Sequence, residues 1–548
     1  MNQTQLLTKT NSLIWVKTLV IILLGLGICF RFTHLGQKIY CGDEPWTSVA
    51  ISGHTLAELR QEFSQTQGIN PITNFDKYQH ITPDRGLADT VNYLITSDPQ
   101  HPPLYYVMVR LWAQIFGDSP TGVRSLSAII SLLIFPSVYW LCLELFDSQV
   151  VGWMAIGLIA ISPTHLYFAQ EVRQYGLWMT EILVSSAILL RAIRQEDKRN
   201  WVLYSLTLIL GLYTHLFTVL LIMSHGIYVI IQQRFRWTKT LINYLIGTIF
   251  ACLMFVPWLI VIITHIGVLR NLTSGYGVRF VDNPFELIAV FLIRVTRIFF
   301  DLNFAVSQGG FSNLNFEGYL YYTLPSLIFS GSLFIYLLFL LCRNYQNKAY
   351  LFLFFLGGLP SILLIIYDLT SGGFRSIQVR YQLPLYLCLE IMVAYLLSFA
   401  VQVLQEKSWR KTLAQLMIIV FVLSGIISDA KYSKSQIWWM QSGSAFIQQI
   451  GQAINQSEIP LLVINNTPIN LGGILALSHY SPKVPLLIAA DDEIRQISEN
   501  YDQIFFVQNN SCLFHQMTQD QHYNLNTIMV LEKMPPGGLW QFEKNWIS

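Results

Sequence analysis

The sequence predicts an all-α polytopic membrane protein of about eleven spans, with interfacial helices and a small C-terminal α/β domain. Three observations carry this. Of the 548 residues, 53% are hydrophobic and 12% charged, where an ordinary soluble domain carries about 25% charged residues. Apolar runs of membrane length recur from residue 13 to residue 428, and ~20 residues suffice for one crossing. Beyond 428, short apolar runs alternate with helical periodicity, the order of an α/β unit. A net charge of only +2 implies neither nucleic acid nor another polyanion as partner.

The runs fall at 13–31, 125–145, 150–167, 176–193, 201–213, 215–232, 241–265, 318–341, 349–367, 381–403 and 411–428. Residues 1–12 are polar and no small-residue cleavage site follows the first run, so the pattern predicts an uncleaved first span. Two shorter stretches, 103–116 and 285–300, contain Arg110 and Arg294 with Arg297. They are expected as interfacial helices lying in the membrane surface. Positive charge tests that choice. With both left uncrossed and a cytoplasmic N-terminus, the Lys/Arg-rich loops 191–199, 234–239, 343–348 and 407–411 all fall inside. Letting 103–116 cross would put all four outside, against the bias of membrane proteins. The outer face then holds the loop 32–124, the turn 168–175, the loops 266–317 and 368–380, and everything after 428.

Two domains follow, a membrane domain over 1–428 and an extracytoplasmic α/β domain over 429–548. Strands are expected at Pro460–Asn465, Val484–Ala489, Gln503–Val507 and Thr527–Leu531, and helices at 444–454, 469–480 and 491–501. With no Gly-rich phosphate loop or metal-ligand spacing, this domain is expected to support the membrane domain or recognise an acceptor. Of the seven cysteines, Cys41 and Cys512 lie in polar segments. A disulfide between them requires an oxidising compartment and a proximity that sequence does not supply.

The residues able to do chemistry sit at the predicted outer face. Asp43 and Glu44, in YCGDEPWT, precede Pro45. They read either as the cap of a helix N-terminus or as carboxylates for proton transfer or a divalent metal ion. His101, in DPQHPPLY, is a donor or proton carrier, or a structural histidine. Glu171, Arg173 and Tyr175 lie in the turn PTHLYFAQEVRQY, where charges at membrane level demand pairing or function. Arg375, Arg380 and Tyr381 border the next outer end. The arginines there either snorkel or clamp a phosphate. Two carboxylates, a histidine, arginines and aromatics on one interface suit an anionic lipid with a polar head.

An acidic pair after the first span, then HPPLYY…FGDSPTGVRSLSA, SPTHLYFAQEVRQYGL and RYQLP, resembles the GT-C glycosyltransferases over about residues 13–403. Within them it looks like the protein O-mannosyltransferases and the aminoarabinose lipid A transferases with their bacterial relatives. The resemblance implies a GT-C-like fold in a bacterial plasma (inner) membrane. It also implies inverting transfer from a polyprenyl-phosphate sugar to a protein, lipid or glycan acceptor. Asp43 would be the base or metal ligand, and Glu44 would position the acceptor. Arg173, Arg375 and Arg380, with His101, would meet the lipid phosphate. The aminoarabinose transferases carry a lysine before the Pro-Pro pair, and His101 stands there in this chain. The competing class is a transporter or flippase of lipid-linked sugars. That would favour midplane charges and broken helices in two related halves, whereas the charges here gather at one interface.

Overall fold

A helix stands at each of the eleven apolar runs in a computed structural model that describes residues 3–273, 284–303, 323–343, 347–403, 409–465, 471–489, 501–508, 512–519, 522–531 and 537–544. Eight of the described helices are long and apolar enough to cross a membrane, nine if a bent pair counts as one span. The bent pair is Gln149–Ala160 with Pro163–Ala169, which meet at 65°. Pro163 explains the break, because it has no N–H to give and its ring clashes with the preceding turn. Lys198–Thr214 has 17 residues and Thr218–Gln232 has 15, short of the ~20 expected of a full crossing. Leu104–Phe116 and Pro284–Thr296, the stretches expected at the interface, are helices of 13 residues each. The chain is a multi-pass membrane protein.

Polar side chains finish the helix ends that gather near the first loop. Arg31 is fully buried and donates from Nη1 to the carbonyls of Gly27 (2.9 Å) and Ala160 (3.1 Å), and from Nη2 to Ile159 (3.1 Å). The Gln170 amide donates to Phe30, Arg31 and Thr33 carbonyls at 2.8, 3.2 and 3.0 Å. Most of these carbonyls belong to the last turns of helices, where intrahelical partners run out, and the contacts tie the first helix to the bent pair. In the loop that follows, Thr55 and Glu58 form a reciprocal capping box, and Ser119 caps the helix beginning at Pro120 by accepting from Gly122 N at 3.2 Å.

The C-terminal segment forms a mixed sheet with strands β1 (Ile69–Pro71), β2 (Pro460–Asn465), β3 (Pro485–Ala489), β4 (Gln503–Gln508), β5 (Tyr523–Leu531) and β6 (Gly537–Lys544). The strand order is β1-β3-β2-β4-β6-β5. β2 runs parallel to β3 and β4, and the other pairings are antiparallel. Alternate residues feed two cores. Leu462, Ile464, Leu486, Ile488 and Phe505 extend the core of the helical domain, and Leu461, Val463, Leu487, Ile504 and Phe506 pack beneath Leu513, Phe514 and Trp540. Burial on both faces suits central parallel strands.

The four expected strands are present, as are helices at Ala445–Asn455 and Leu471–Tyr480. The helix expected at 491–501 lies, apart from its last residue, outside the described residues. β1, β6 and the helix Cys512–Gln519 had no expectation attached. β1 is the consequential one, because it comes from the loop after the first helix and pairs Ile69 with Leu487. The same loop is tied at Gln79, whose Nε2 donates to Leu475 O (3.0 Å) and Ser478 Oγ (3.0 Å) and whose Oε1 accepts from His479 (3.0 Å). The sheet therefore fastens the loop that carries the acidic pair.

Candidate active site

Gly42 adopts φ +67°, a left-handed conformation that a side chain would strain. It turns the chain into the helix Glu44–Ser52, with Asp43 at the N-cap and Pro45 in the first turn. Asp43 holds the cap position, yet its side chain makes no capping hydrogen bond. Instead it reaches the far end of the sequence. Arg380 Nη1 donates to Asp43 Oδ2 at 2.5 Å, and Arg173 Nε lies 3.8 Å from the same oxygen. The Asp43 side chain remains 35% exposed, so a partner from outside can reach it.

Glu44 points the other way. It is fully buried, and its two oxygens accept from Arg124 Nε at 2.8 Å and Nη2 at 2.5 Å. Glu44 Oε1 also accepts from Val172 N at 3.1 Å. Arg124 is closed off in turn by the carbonyls of Leu35, Lys38 and Ile39 at 2.5, 3.0 and 3.1 Å. The adjacent acids thus divide: Asp43 faces the open site, and Glu44 bolts the first loop to the turn at Val172. The expectation that Glu44 meets an acceptor does not fit this burial. A shared metal position does not fit either, since the two carboxylates face different guanidiniums, and Asp43 stands between two cations that repel a third. Among the described residues no group of three His, Cys, Asp or Glu side chains could hold a metal ion.

Arg173 is the hub. It is nearly fully buried (3% exposed), and its Nη2 donates to His101 Nε2 at 2.8 Å. A guanidinium only donates, so Nε2 must accept. His101 Nδ1–H then donates to Asp98 Oδ2 at 2.7 Å, and the ring is neutral. Arg173 also approaches Thr47 Oγ1 at 3.4 Å and lies over the Tyr106 ring at 5.8 Å. Trp258 Nε1 donates to Pro99 O at 3.3 Å, which anchors the Asp98–His101 turn on a distant helix. Arg380 Nη1 also donates to Tyr175 Oη at 3.4 Å, and its guanidinium lies 5.5 Å from the Tyr381 ring.

Glu171 sits below this surface, 9% exposed. Its Oε1 accepts from Tyr167 Oη at 3.0 Å, and Oε2 has no hydrogen-bond partner among the described residues. Burial, with the Asp43 and Glu44 carboxylates nearby, pushes its carboxyl up to about 8 against the pull of Arg173 and Arg380. Asp43 goes the other way. Burial raises it, but Arg173 and Arg380 outweigh that and hold it well below the ordinary carboxylate value.

The structure brings Asp43, His101, Arg173, Tyr175 and Arg380 into one constellation, with Glu171 beneath and Tyr381 beside it. Arg375 stacks over Tyr367 at 4.9 Å. Cys41 is buried, and its pairing with Cys512 falls outside the described residues because the Cys512 side chain does. Sequence reasoning missed Arg124 as the partner of Glu44. It also missed His215, in YTHLF at the start of the run 215–232. His215 packs 5.9 Å from the Tyr175 ring.

The family model for dolichyl-phosphate-mannose-protein mannosyltransferases matches residues 100–261, the stretch that supplies His101, Glu171, Arg173 and Tyr175. No curated protein matches the chain. Among solved structures, ArnT from Cupriavidus metallidurans bound to undecaprenyl phosphate is similar with 12% identity and a TM-score of 0.50, over 95% of this chain and 97% of that one. An Archaeoglobus fulgidus oligosaccharyltransferase tethered with an acceptor peptide is 12% identical with a TM-score of 0.48, over 86% of this chain. The chain spans 64% of that enzyme's length. The end-to-end match to ArnT at this low identity speaks for architecture, and the chain has the fold of the GT-C glycosyltransferases.

Proposed function

We propose that the protein is a glycosyltransferase that moves a sugar from a polyprenyl-phosphate carrier to a hydroxyl acceptor, with inversion, at the outer face of the plasma membrane. The observation that carries this reading is the pair Arg173 and Arg380 closed on one carboxylate, Asp43. Two guanidiniums converging beside an open site are a receptor for an anionic oxygen group. In the structure Asp43 meets both guanidiniums. A donor phosphate competes for the same donors, and when it wins, Asp43 loses the charges that depress its basicity. The base then becomes competent only with the donor in place. The name of the matching family, and undecaprenyl phosphate bound to ArnT, support a lipid phosphate as the anion.

In the reaction the acceptor oxygen bonds to the anomeric carbon as its proton passes to Asp43. The bond from that carbon to the phosphate oxygen breaks, and the lipid phosphate leaves with the negative charge. Arg173 and Arg380 meet that charge as it grows, the differential stabilisation that lowers a barrier. His101 holds Arg173 in register through its own bond to Asp98. Glu44 acts at one remove, fixing the first turn of the helix on which Asp43 sits. The sugar arrives activated, so no nucleotide site is required. The outer-face assignment rests on the sequence count, by which the Lys/Arg-rich loops fall on the opposite side. The C-terminal α/β unit, joined to the first loop through β1, would shape the acceptor's approach.

Transfer of label from polyprenyl-phosphate sugars in purified membranes tests the reading. Wild type should transfer, and Asp43→Asn should fall by roughly 10²–10⁴-fold at equal folded protein. Full activity in that variant would remove Asp43 from the chemistry. For the topology, a cysteine near residue 195 should resist membrane-impermeant reagents in intact cells, and labelling there would overturn the outer-face assignment.

A further inference from the structure

We propose that His215 is a third donor to the leaving phosphate, an uncharged N–H set beside the two guanidiniums. This rests on the glycosyltransferase reading and deepens it. His215 lies where the helix Lys198–Thr214 ends and Thr218–Gln232 begins, on the segment that brackets Arg380. Its ring stands 5.9 Å from that of Tyr175, which accepts from Arg380. Two residues on, the Phe217 ring packs 4.8 Å from Tyr381, the neighbour of Arg380 in sequence. The short connection therefore touches Arg380's surroundings through two ring contacts, one on Tyr175 and one on Tyr381.

The local bonding fixes what His215 presents. The backbone N–H of Phe217 donates to His215 Nδ1 at 3.2 Å, so Nδ1 carries a lone pair and the proton of the neutral ring sits on Nε2. Stacking on Trp178, at 4.2 Å between centroids and 18° between planes, prevents the ring from turning. His215 is 7% exposed, and Nε2 has no hydrogen-bond partner among the described residues. A fixed, oriented N–H beside a cation pair is a pre-organised donor, and it adds directionality where guanidiniums add charge.

The test is binding of an unglycosylated polyprenyl phosphate to the full-length protein in nanodiscs, read as the ligand-dependent rise in melting temperature. His215→Phe keeps a ring on Trp178 and removes the donor, and it should weaken binding by roughly 10- to 100-fold. His215→Gln carries an amide N–H close to where Nε2 stood, and it should recover most of the affinity. Both variants should melt near the wild-type temperature without ligand. H215F binding within threefold of wild type, or H215Q as weak as H215F, overturns the donor role and leaves the enzyme reading standing. Wild-type protein with no saturable binding of polyprenyl phosphate overturns both.

Discussion

Replacing Glu44 by glutamine separates a structural acid from a catalytic one. The substitution keeps the shape, and the amide oxygen can still accept from Arg124 Nε and Val172 N, contacts of 2.8 and 3.1 Å in the wild type. What is lost is the negative charge opposite a guanidinium that is 1% exposed, and the new amide N–H₂ faces Arg124 Nη2, donor against donor. Breaking a buried ion pair from one side costs about 3–5 kcal/mol. Three carbonyls and the Tyr40 ring, 5.2 Å away, continue to solvate Arg124. The lower end, about 3 kcal/mol or roughly a hundredfold in the folding equilibrium, is therefore expected. Thermal unfolding in nanodiscs reads this directly, and limited proteolysis between residues 33 and 119 reads the loosened loop. Turnover per folded molecule should change only a few-fold. E44Q with wild-type stability and abolished transfer would refute the reasoning, because Glu44 would then be meeting substrate.

Three further outcomes follow from the same geometry. Arg380→Gln removes the 2.5 Å bond to Asp43 and half of the phosphate receptor. The KM for the lipid-phosphate donor should rise by about 10- to 100-fold, and an unchanged KM would count against Arg380 as a phosphate ligand. Glu171 titrates near 8 in the fold against an ordinary 4.5, so the native state holds the proton that the unfolded chain releases. Its contribution to stability is complete below about pH 4.5 and is lost as pH rises to about 8. Glu171→Gln should flatten that fall in melting temperature, and parallel pH profiles would reject the assignment. Gly425→Ala would set a Cβ 2.5 Å from Ile161 O and 2.8 Å from Ile161 Cγ1, at the bend of the broken helix pair. A loss of about 1–3 kcal/mol is expected on thermal unfolding, and a neutral result would mean that the bend yields.

Much of the membrane domain was legible because a bilayer forces long apolar stretches into helices that satisfy their own backbones. The C-terminal strands were legible where apolar residues run together, as at Pro460–Asn465, and illegible at Ile69–Pro71. That three-residue strand lies in a polar loop and exists only because β3 offers it an edge. For the candidate site, the expectation of one shared surface holds for four residues and not for Glu44 or Arg375. Asp43, His101, Arg173 and Arg380 are charged or titratable residues that the Lys/Arg count put on one side, and they do converge. Their pairing was not legible. Nothing local in YCGDEPWT tells Asp43 from Glu44, and the difference is made by Arg124, 80 residues downstream. His215 gave no signal, since a histidine at the start of an apolar run carries no pattern until Trp178 and Tyr175 close around it.

The way the acids divide also explains why the site is built from helix ends. A charge in mid-span is costly unless paired, whereas a helix terminus lies near the interface and leaves backbone groups without partners. Arg31 and Gln170 satisfy the carbonyls at such termini, and Arg124 closes those of the Leu35–Ile39 turn. Each fixes one end to another, and their sum is a rigid rim. On that rim the turn Glu171–Gln174, the Asp98–His101 turn, the His215–Phe217 joint and the Arg380 segment are held at fixed spacing. On the proposed reading, a phosphate that takes Arg173 and Arg380 frees Asp43 to accept a proton, and His215 Nε2 adds a donor to the same anion. The scaffold residues are buried, and Asp43, Arg173 and Arg380 meet one another at the surface they support. A ligand that offers a phosphate to the arginines and a hydroxyl to Asp43 satisfies all of them at once, and neither half of that ligand alone does so.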